Sequence, residues 1–229
     1  MATAGLLGLP PRGIMGEMST ESAADRPAGY ARGRRTRDDL VAAAAAVYGD
    51  VGFDGASLRE IAKRAGVTHA GLLYHFPSKE ALLAAVLERR DKIDAERPDL
   101  HLPNGLGPLG RLVALAAHNE RHRGIVELYV RLAAEATSEM HPAHIYFTDH
   151  YRQAREFAKE GFRALAAQGR LRPRVDPQVA AIGLIALMDG LQAQWLTESE
   201  AVDLTTALRH YIEQTLTETN HASGPAKKT

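Results

Sequence analysis

Apolar residues along this chain fall into blocks with helical spacing, punctuated by Gly, Pro and capping residues, with no sustained strand-like alternation. From Thr36 onward, Leu40, Val41, Ala44 and Val47 recur at helical intervals, and Asp38 and Asp39 occupy a first turn where the helix dipole favours anions. Thr36 is therefore the expected N-cap of a helix reaching about Asp50, broken by Gly52, Asp54 and Gly55. Ser57 caps a second helix, with Glu60 at capping-box spacing and Leu58, Ile61, Ala62 and Ala65 as its apolar face; Gly66 stops it. Thr68 caps a third, with Leu72, Leu73 and Phe76 inward, and Pro77 ends it. Ser78 caps a fourth that carries Leu82, Leu83, Val86 and Leu87 to Lys92 or beyond.

From Asp94 to Pro108 the chain is rich in Pro, Gly and Asn, which places a domain boundary there. Beyond it the periodicity predicts helices over Leu109–Arg123, Ile125–Thr137, Pro142–Gln168, Pro177–Thr197 and Val202–Glu218. Residues 1–33, rich in Gly, Pro, Ala and Ser, read as a disordered leader within which Met15 or Met18 is an alternative start, and 220–229 read as a disordered tail. The expected architecture is all-α: a small N-terminal module over 34–94 and a larger helical domain over 95–219.

Composition narrows the chemistry. Aromatics make up only 6% of the chain and hydrophobic residues 45%, a balance that favours helices with real cores. Without cysteine there is no disulfide framework, thiolate metal site or cysteine nucleophile, in keeping with a reducing, cytoplasmic setting. The longest apolar run, Val179 to Leu191, is spoiled by Asp189, so no membrane partner is expected, and the start lacks a signal-peptide pattern. Net charge is zero, yet basic residues outnumber acids between Tyr30 and Lys92. Phosphate-cradling Gly loops, His-Glu-x-x-His pairs and nucleophile elbows are lacking, so no enzyme and no cofactor is expected. His118 with His122, and His141 with His144, have the spacing of metal ligands on one helix face, but no acidic third ligand lies near them, and solvated histidines are the preferred reading.

A short helix, a Gly turn and a second helix opened by Thr68-His69 form the shape of a DNA-reading helix-turn-helix over about 58–77. On spacing alone such a unit also suits helical proteins that never meet DNA. The residues are more specific: Ser57-Leu58-Arg59-Glu60-Ile61-Ala62, Ala65-Gly66-Val67-Thr68, Leu72-Leu73-Tyr74-His75-Phe76 and Ser78-Lys79-Glu80-Ala81-Leu82-Leu83 together resemble the DNA-binding domain of the tetracycline-repressor (TetR) family. The resemblance covers roughly Arg34 to Asp94; further on, Met188-Asp189-Gly190-Leu191-Gln192 and Trp195 look like part of the penultimate helix in one branch of the family.

Within this module Thr68 and His69 stand where side chains first meet base edges: His69 has donors for a guanine or a phosphate, and Thr68 is a base contact or simply a cap. Ala70 and Gly71 either admit close approach to the groove or serve helix packing. Tyr74 and His75 resemble the family's backbone-contacting pair, the alternative being a partly buried aromatic pair. Lys79 at a helix start suits a phosphate anchor. By resemblance Ser57 touches the backbone and Arg59 reaches bases or phosphates, while Arg35 and Arg37 add phosphate contacts; for these charges the alternative is a solvated face. Where the family often has Tyr, this chain has Leu73.

The resemblance also implies a C-terminal effector cavity and a homodimer interface. Tyr129, Met140, His144, Phe147, Tyr151, Met188, Gln192 and Trp195 offer the mixed apolar and polar lining of a pocket, each being plain core otherwise. The last two helices are apolar enough to pair with their symmetry mates. The function so implied is a regulator, expected to be a repressor, that is released from a palindromic double-stranded DNA operator by a small-molecule effector; the rival is a helical ligand-binding protein or enzyme that uses the cavity without binding an operator.

Overall fold

The computed structural model of the chain describes residues 28–95 and 106–217, and the expectations for the leader up to residue 27 and for the tail lie outside the described residues. The described residues form nine α-helices: α1 Ala28–Gly55, α2 Leu58–Arg64, α3 His69–His75, α4 Lys79–Ala95, α5 Gly110–Asn119, α6 Arg123–Glu135, α7 His144–Ala167, α8 Pro177–Thr197 and α9 Leu204–Gln214. A 3-10 turn, Gly107–Leu109, leads into α5.

Boundaries at α1 and at the α5–α6 turn differ from expectation for identifiable reasons. The first helix begins at Ala28, so Thr36 is interior rather than a cap; Ala and Arg upstream are good helix formers, and propagation through them outweighs one local capping option. At its other end α1 is interrupted at Gly52, whose φ of 78° is left-handed. Glu135 of α6 fixes that break by accepting the Phe53 N–H at 2.8 Å, and a Cβ on Gly52 would collide with the same carboxylate. The α5–α6 turn also comes early, at Glu120–His122, where the His122 N–H reaches Asn119 O at 3.0 Å.

α8 is 21 residues long and, among the described residues, the one helix apolar enough to cross a membrane by length and composition. Here it packs against α6, α7 and α9. Its other side leaves Val179 and Ile182 at 67% and 48% exposure, continued by exposed Ala186, Gly190 and Ala193. α9 is closed off by a β-bridge between Leu171 and Leu216 that ties its end to the α7–α8 loop.

The buried side chains form two clusters. One gathers Leu112, Leu115, Phe162, Leu184, Trp195, Leu208 and Ile212 from α5, α7, α8 and α9. The other joins Leu40, Val47, Tyr48, Ile61, Leu72, Leu82 and Leu83 of the N-terminal helices to Leu128, Leu132 and Phe147 of α6 and α7. Apolar contact therefore crosses the expected boundary, with α6 packed along α1 and against α8.

Candidate nucleic-acid interface and effector cavity

The α2–α3 unit owes its shape to local chemistry. Ser57 Oγ accepts the Arg59 N–H at 3.3 Å, and Thr68 Oγ1 accepts the Gly71 N–H at 3.0 Å, so each helix starts on a side-chain cap. Between them Gly66 adopts φ 70°, which lets the chain reverse direction while the Val67 N–H returns to Ala62 O at 3.0 Å. Ile61 and Leu72, both fully buried, hold the two helices to the core.

With that side anchored, the opposite side is free. Arg59, Thr68, His69 and Ala70 are exposed, and Tyr74 is 85% exposed with its ring set edge-on to His75 at 5.3 Å. This rules out the buried-pair reading for Tyr74; His75 is half-buried. Gly71 is half-buried, and a Cβ there would press on the Thr68 capping hydroxyl at 3.2 Å. Arg35 is exposed, and the Arg37 guanidinium lies 4.9 Å over the Phe76 ring. Lys79 is more constrained than its sequence position suggests: its ammonium donates to Asp54 O at 3.3 Å and sits 4.5 Å over the Phe53 ring, while Tyr48 donates to its carbonyl at 3.2 Å.

A second constellation lies between α6, α7 and α8. An inner cavity of about 20 Å³ is walled by Leu112, Leu115, Ala154, Ile185 and Met188, with Tyr129, His150, Asp189 and Gln192 as its polar members. An outer groove of about 250 Å³ is lined by Val130, Ala133, Ala134, Thr137 and Tyr151. Tyr129 and Asp189 line both and so form the partition between them.

Burial pushes the Asp189 carboxyl above the usual range, opposed by hydrogen bonds from Tyr151 and Tyr129 and by the Arg90 charge. Tyr129 is raised well above an ordinary phenol, first by burial and then by the Asp189 charge, and Tyr151 is pushed up to about 12 by the same two causes. His150, buried beside Arg90, is held down to about 3, so it is neutral at physiological pH. The Arg90 guanidinium, on α4, stacks 4.5 Å over Tyr129, and its neighbour Asp91 accepts the Tyr146 hydroxyl at 2.7 Å.

Of the residues expected to line a pocket, Tyr129, Tyr151, Met188 and Gln192 do so. Phe147 stands behind them, its ring 5.4 Å from that of Tyr129. Three lie elsewhere: Met140 is 91% exposed, His144 turns its Nδ1 to Ala136 O at 2.9 Å, and Trp195 is packed in the C-terminal core beneath Arg123. Sequence reasoning missed Asp189, His150 and Arg90. For Asp189 a signal existed, since a lone acid inside an apolar run is rarely left buried without a purpose.

The histidine pairs divide differently from their spacing. His118 and His122 stack at 3.7 Å with the His122 Nδ1 turned to His118 O at 2.9 Å. His141 Nδ1 accepts the Ala143 N–H at 3.2 Å while His144 faces Ala136, so the two rings do not converge. Among the described residues, no group of three or more His, Asp or Glu side chains has metal-binding geometry.

Comparison with known proteins supplies the family. Residues 40–86 match the family model of bacterial regulatory proteins of the tetR family, and residues 111–217 match the BetI-type transcriptional repressor C-terminal domain. The chain is 31% identical over 177 residues to the A-factor receptor protein of Streptomyces griseus, across 76% of this chain but 60% of that protein. It is 30% identical over 186 residues to the HTH-type transcriptional regulator BetI of Yersinia pestis (strain Pestoides F), covering 79% of this chain and 92% of the relative. Among solved structures, full-length native TylP, a TetR regulator from Streptomyces fradiae, superposes with a TM-score of 0.59 at 26% identity, over 81% of this chain and 88% of that one. With both domains matched in order, the chain belongs to the tetR family and carries a BetI-type C-terminal domain: it is a ligand-responsive, DNA-binding transcriptional repressor and not an enzyme.

Proposed function

We propose that the chain acts in the cytoplasm as a homodimer on a palindromic operator, with 34–94 as the DNA-binding unit and 95–219 as the effector and dimerisation unit. In this reading α3 enters the major groove. Thr68 and His69 meet base edges at its start, with Gly71 allowing close approach. Ser57, Tyr74, His75 and Lys79 hold the phosphate backbone, Arg59 reaches bases or phosphates, and Arg35 and Arg37 add charge from α1. The observation that carries the reading is the division of α3 into a face sealed by Leu72 and a face of solvent-exposed His69 and Tyr74.

The dimer rests on the α8 stripe Val179, Ile182, Ala186, Gly190 and Ala193, whose small and apolar side chains allow a symmetry-related α8 to approach closely. Two copies then set their recognition helices about one DNA turn apart, roughly 34–36 Å. The effector occupies the groove beside Tyr129 and Tyr151, and its arrival reaches α4 through the Arg90–Tyr129 and Asp91–Tyr146 contacts. A coupling of about 1–3 kcal/mol lowers operator affinity some 5–150-fold. That the Streptomyces griseus relative is named a receptor supports ligand control of this kind.

The test is selection of bound fragments from random DNA with the purified full chain, followed by titration of the winner at several salt concentrations and measurement of the mass in solution. A palindrome with a steep salt slope and a dimeric mass is expected. Absence of any enriched sequence defeats the operator reading, and a monomeric mass defeats the dimer.

A further inference from the structure

The cavity between α6, α7 and α8 has a charge balance that discriminates among ligands. Its carboxylate, Asp189, lies beside Tyr129 and Tyr151, and these groups together with the Arg90 charge oppose the burial that raises it. His150 is neutral. Around these groups the walls are aliphatic, from Leu112, Leu115 and Ile185 inside to Val130 and Ala133 outside. A cation arriving at Tyr129 meets the Arg90 guanidinium already stacked on that ring. An anion meets the Asp189 carboxylate. Either must be stripped of water in an apolar site without a free counter-charge.

What the site does offer is a buried acceptor left without a partner. Gln192, 3% exposed on α8, lines the inner cavity, and its Oε1 has no hydrogen-bond partner among the described residues. A buried acceptor in this state is met by a ligand that brings a donor.

We propose that this cavity selects a neutral, largely apolar molecule carrying a hydroxyl or N–H donor, which fills the outer groove, displaces the Tyr129 partition and donates to Gln192 Oε1. The proposal rests on the repressor reading above and names the chemistry of its effector. The outer groove, at about 250 Å³, is close to the lower bound of about 300 Å³ for ligand pockets, which suits a molecule the size of a fused bicycle. Because the inner cavity of about 20 Å³ holds little more than one water-sized group, only the donor end needs to pass the partition.

The experiment uses the full chain and four naphthalene probes of one shape: 1-naphthol, 1-methoxynaphthalene, 1-naphthoate and 1-naphthylmethylammonium. Calorimetric titration is expected to show 1-naphthol binding tightest, roughly tenfold over the methoxy compound, as befits one donated hydrogen bond. Gln192→Leu is expected to bring 1-naphthol down to the level of 1-methoxynaphthalene while leaving the latter unchanged. The wild-type series stands by itself should that variant misfold. A charged probe that matches or exceeds 1-naphthol, equal binding of the two neutral probes, or no binding by any of the four overturns the proposal. Operator binding by the unliganded protein is measured separately: an enriched palindrome without donor preference defeats this inference alone, and donor preference without an operator defeats the repressor reading alone.

Discussion

Replacing His150 by Leu should remove a specific component of the protein's pH dependence. His150 lies buried on α7 with its ring 5.5 Å from Tyr129 and 5.6 Å from Tyr151, and burial followed by the Arg90 charge lowers its folded-state value to about 3. In the unfolded chain it returns to about 6.5, so between these values the unfolded state binds the extra proton and stability falls as the pH falls. At pH 5 the group is about 1.5 units below its unfolded value; at about 1.36 kcal/mol per unit the folded state is about 2 kcal/mol less stable there than at pH 7.5 or above. Asp189, across the inner cavity, works in the opposite direction, because a raised carboxyl is a burden above its folded value that is relieved on acidification. Since the variant keeps Asp189, the difference between wild-type and variant curves isolates the imidazole. The assay is urea unfolding of both proteins from pH 7.5 to 5 at one protein concentration, with the m-values required to agree. Wild-type and variant stabilities that stay parallel within about 0.5 kcal/mol, against the 2 kcal/mol worked from the linkage, refute the assignment of a buried neutral His150.

Three further outcomes are expected. Phe162→Ala, at a fully buried ring in the C-terminal core, should cost about 3–5 kcal/mol in urea unfolding; a cost below about 1 kcal/mol would mean that the core closes over the gap. Lys79→Ala should weaken binding to every DNA sequence and reduce the slope of log affinity against log salt by about 0.9, as one lost phosphate contact does; an unchanged slope would show that its ammonium serves only Asp54 and Phe53. His69→Ala should alter preference at one operator position by about 1–3 kcal/mol in competition binding, whereas equal loss on all sequences would reassign it to the backbone.

Several elements were legible from the sequence because their signals are local. Ser57, Thr68 and Ser78 each cap within three residues, and Gly66 reverses the chain by its own φ, so α2, α3 and the start of α4 follow from short-range rules that no distant contact overrides. Periodicity likewise located α6, α7 and α8 to within a few residues, because an apolar stripe must face a core whichever core that is.

The start of α1 was not legible, since Thr36 suits a cap by residue type and yet lies in the interior of a helix that begins at Ala28. Nor was the membership of the cavity. Tyr129 and Met140, or Gln192 and Trp195, are equally plausible liners by residue type, yet packing sets Tyr129 and Gln192 on the partitioned site, leaves Met140 exposed in the turn between α6 and α7, and buries Trp195 in the C-terminal core. Arg90 is the clearest instance: in the sequence it is one of four cations balanced by four acids on its helix, and only the packing of α4 and α6 along α1 sets its guanidinium on Tyr129. The sequence by itself thus determined the caps, turns and apolar faces, which arise from neighbours within about one helical turn. The tertiary structure alone decided the charge-balanced cavity and its link to α4, because those depend on groups distant along the chain whose desolvation and pairing are settled only when helices pack.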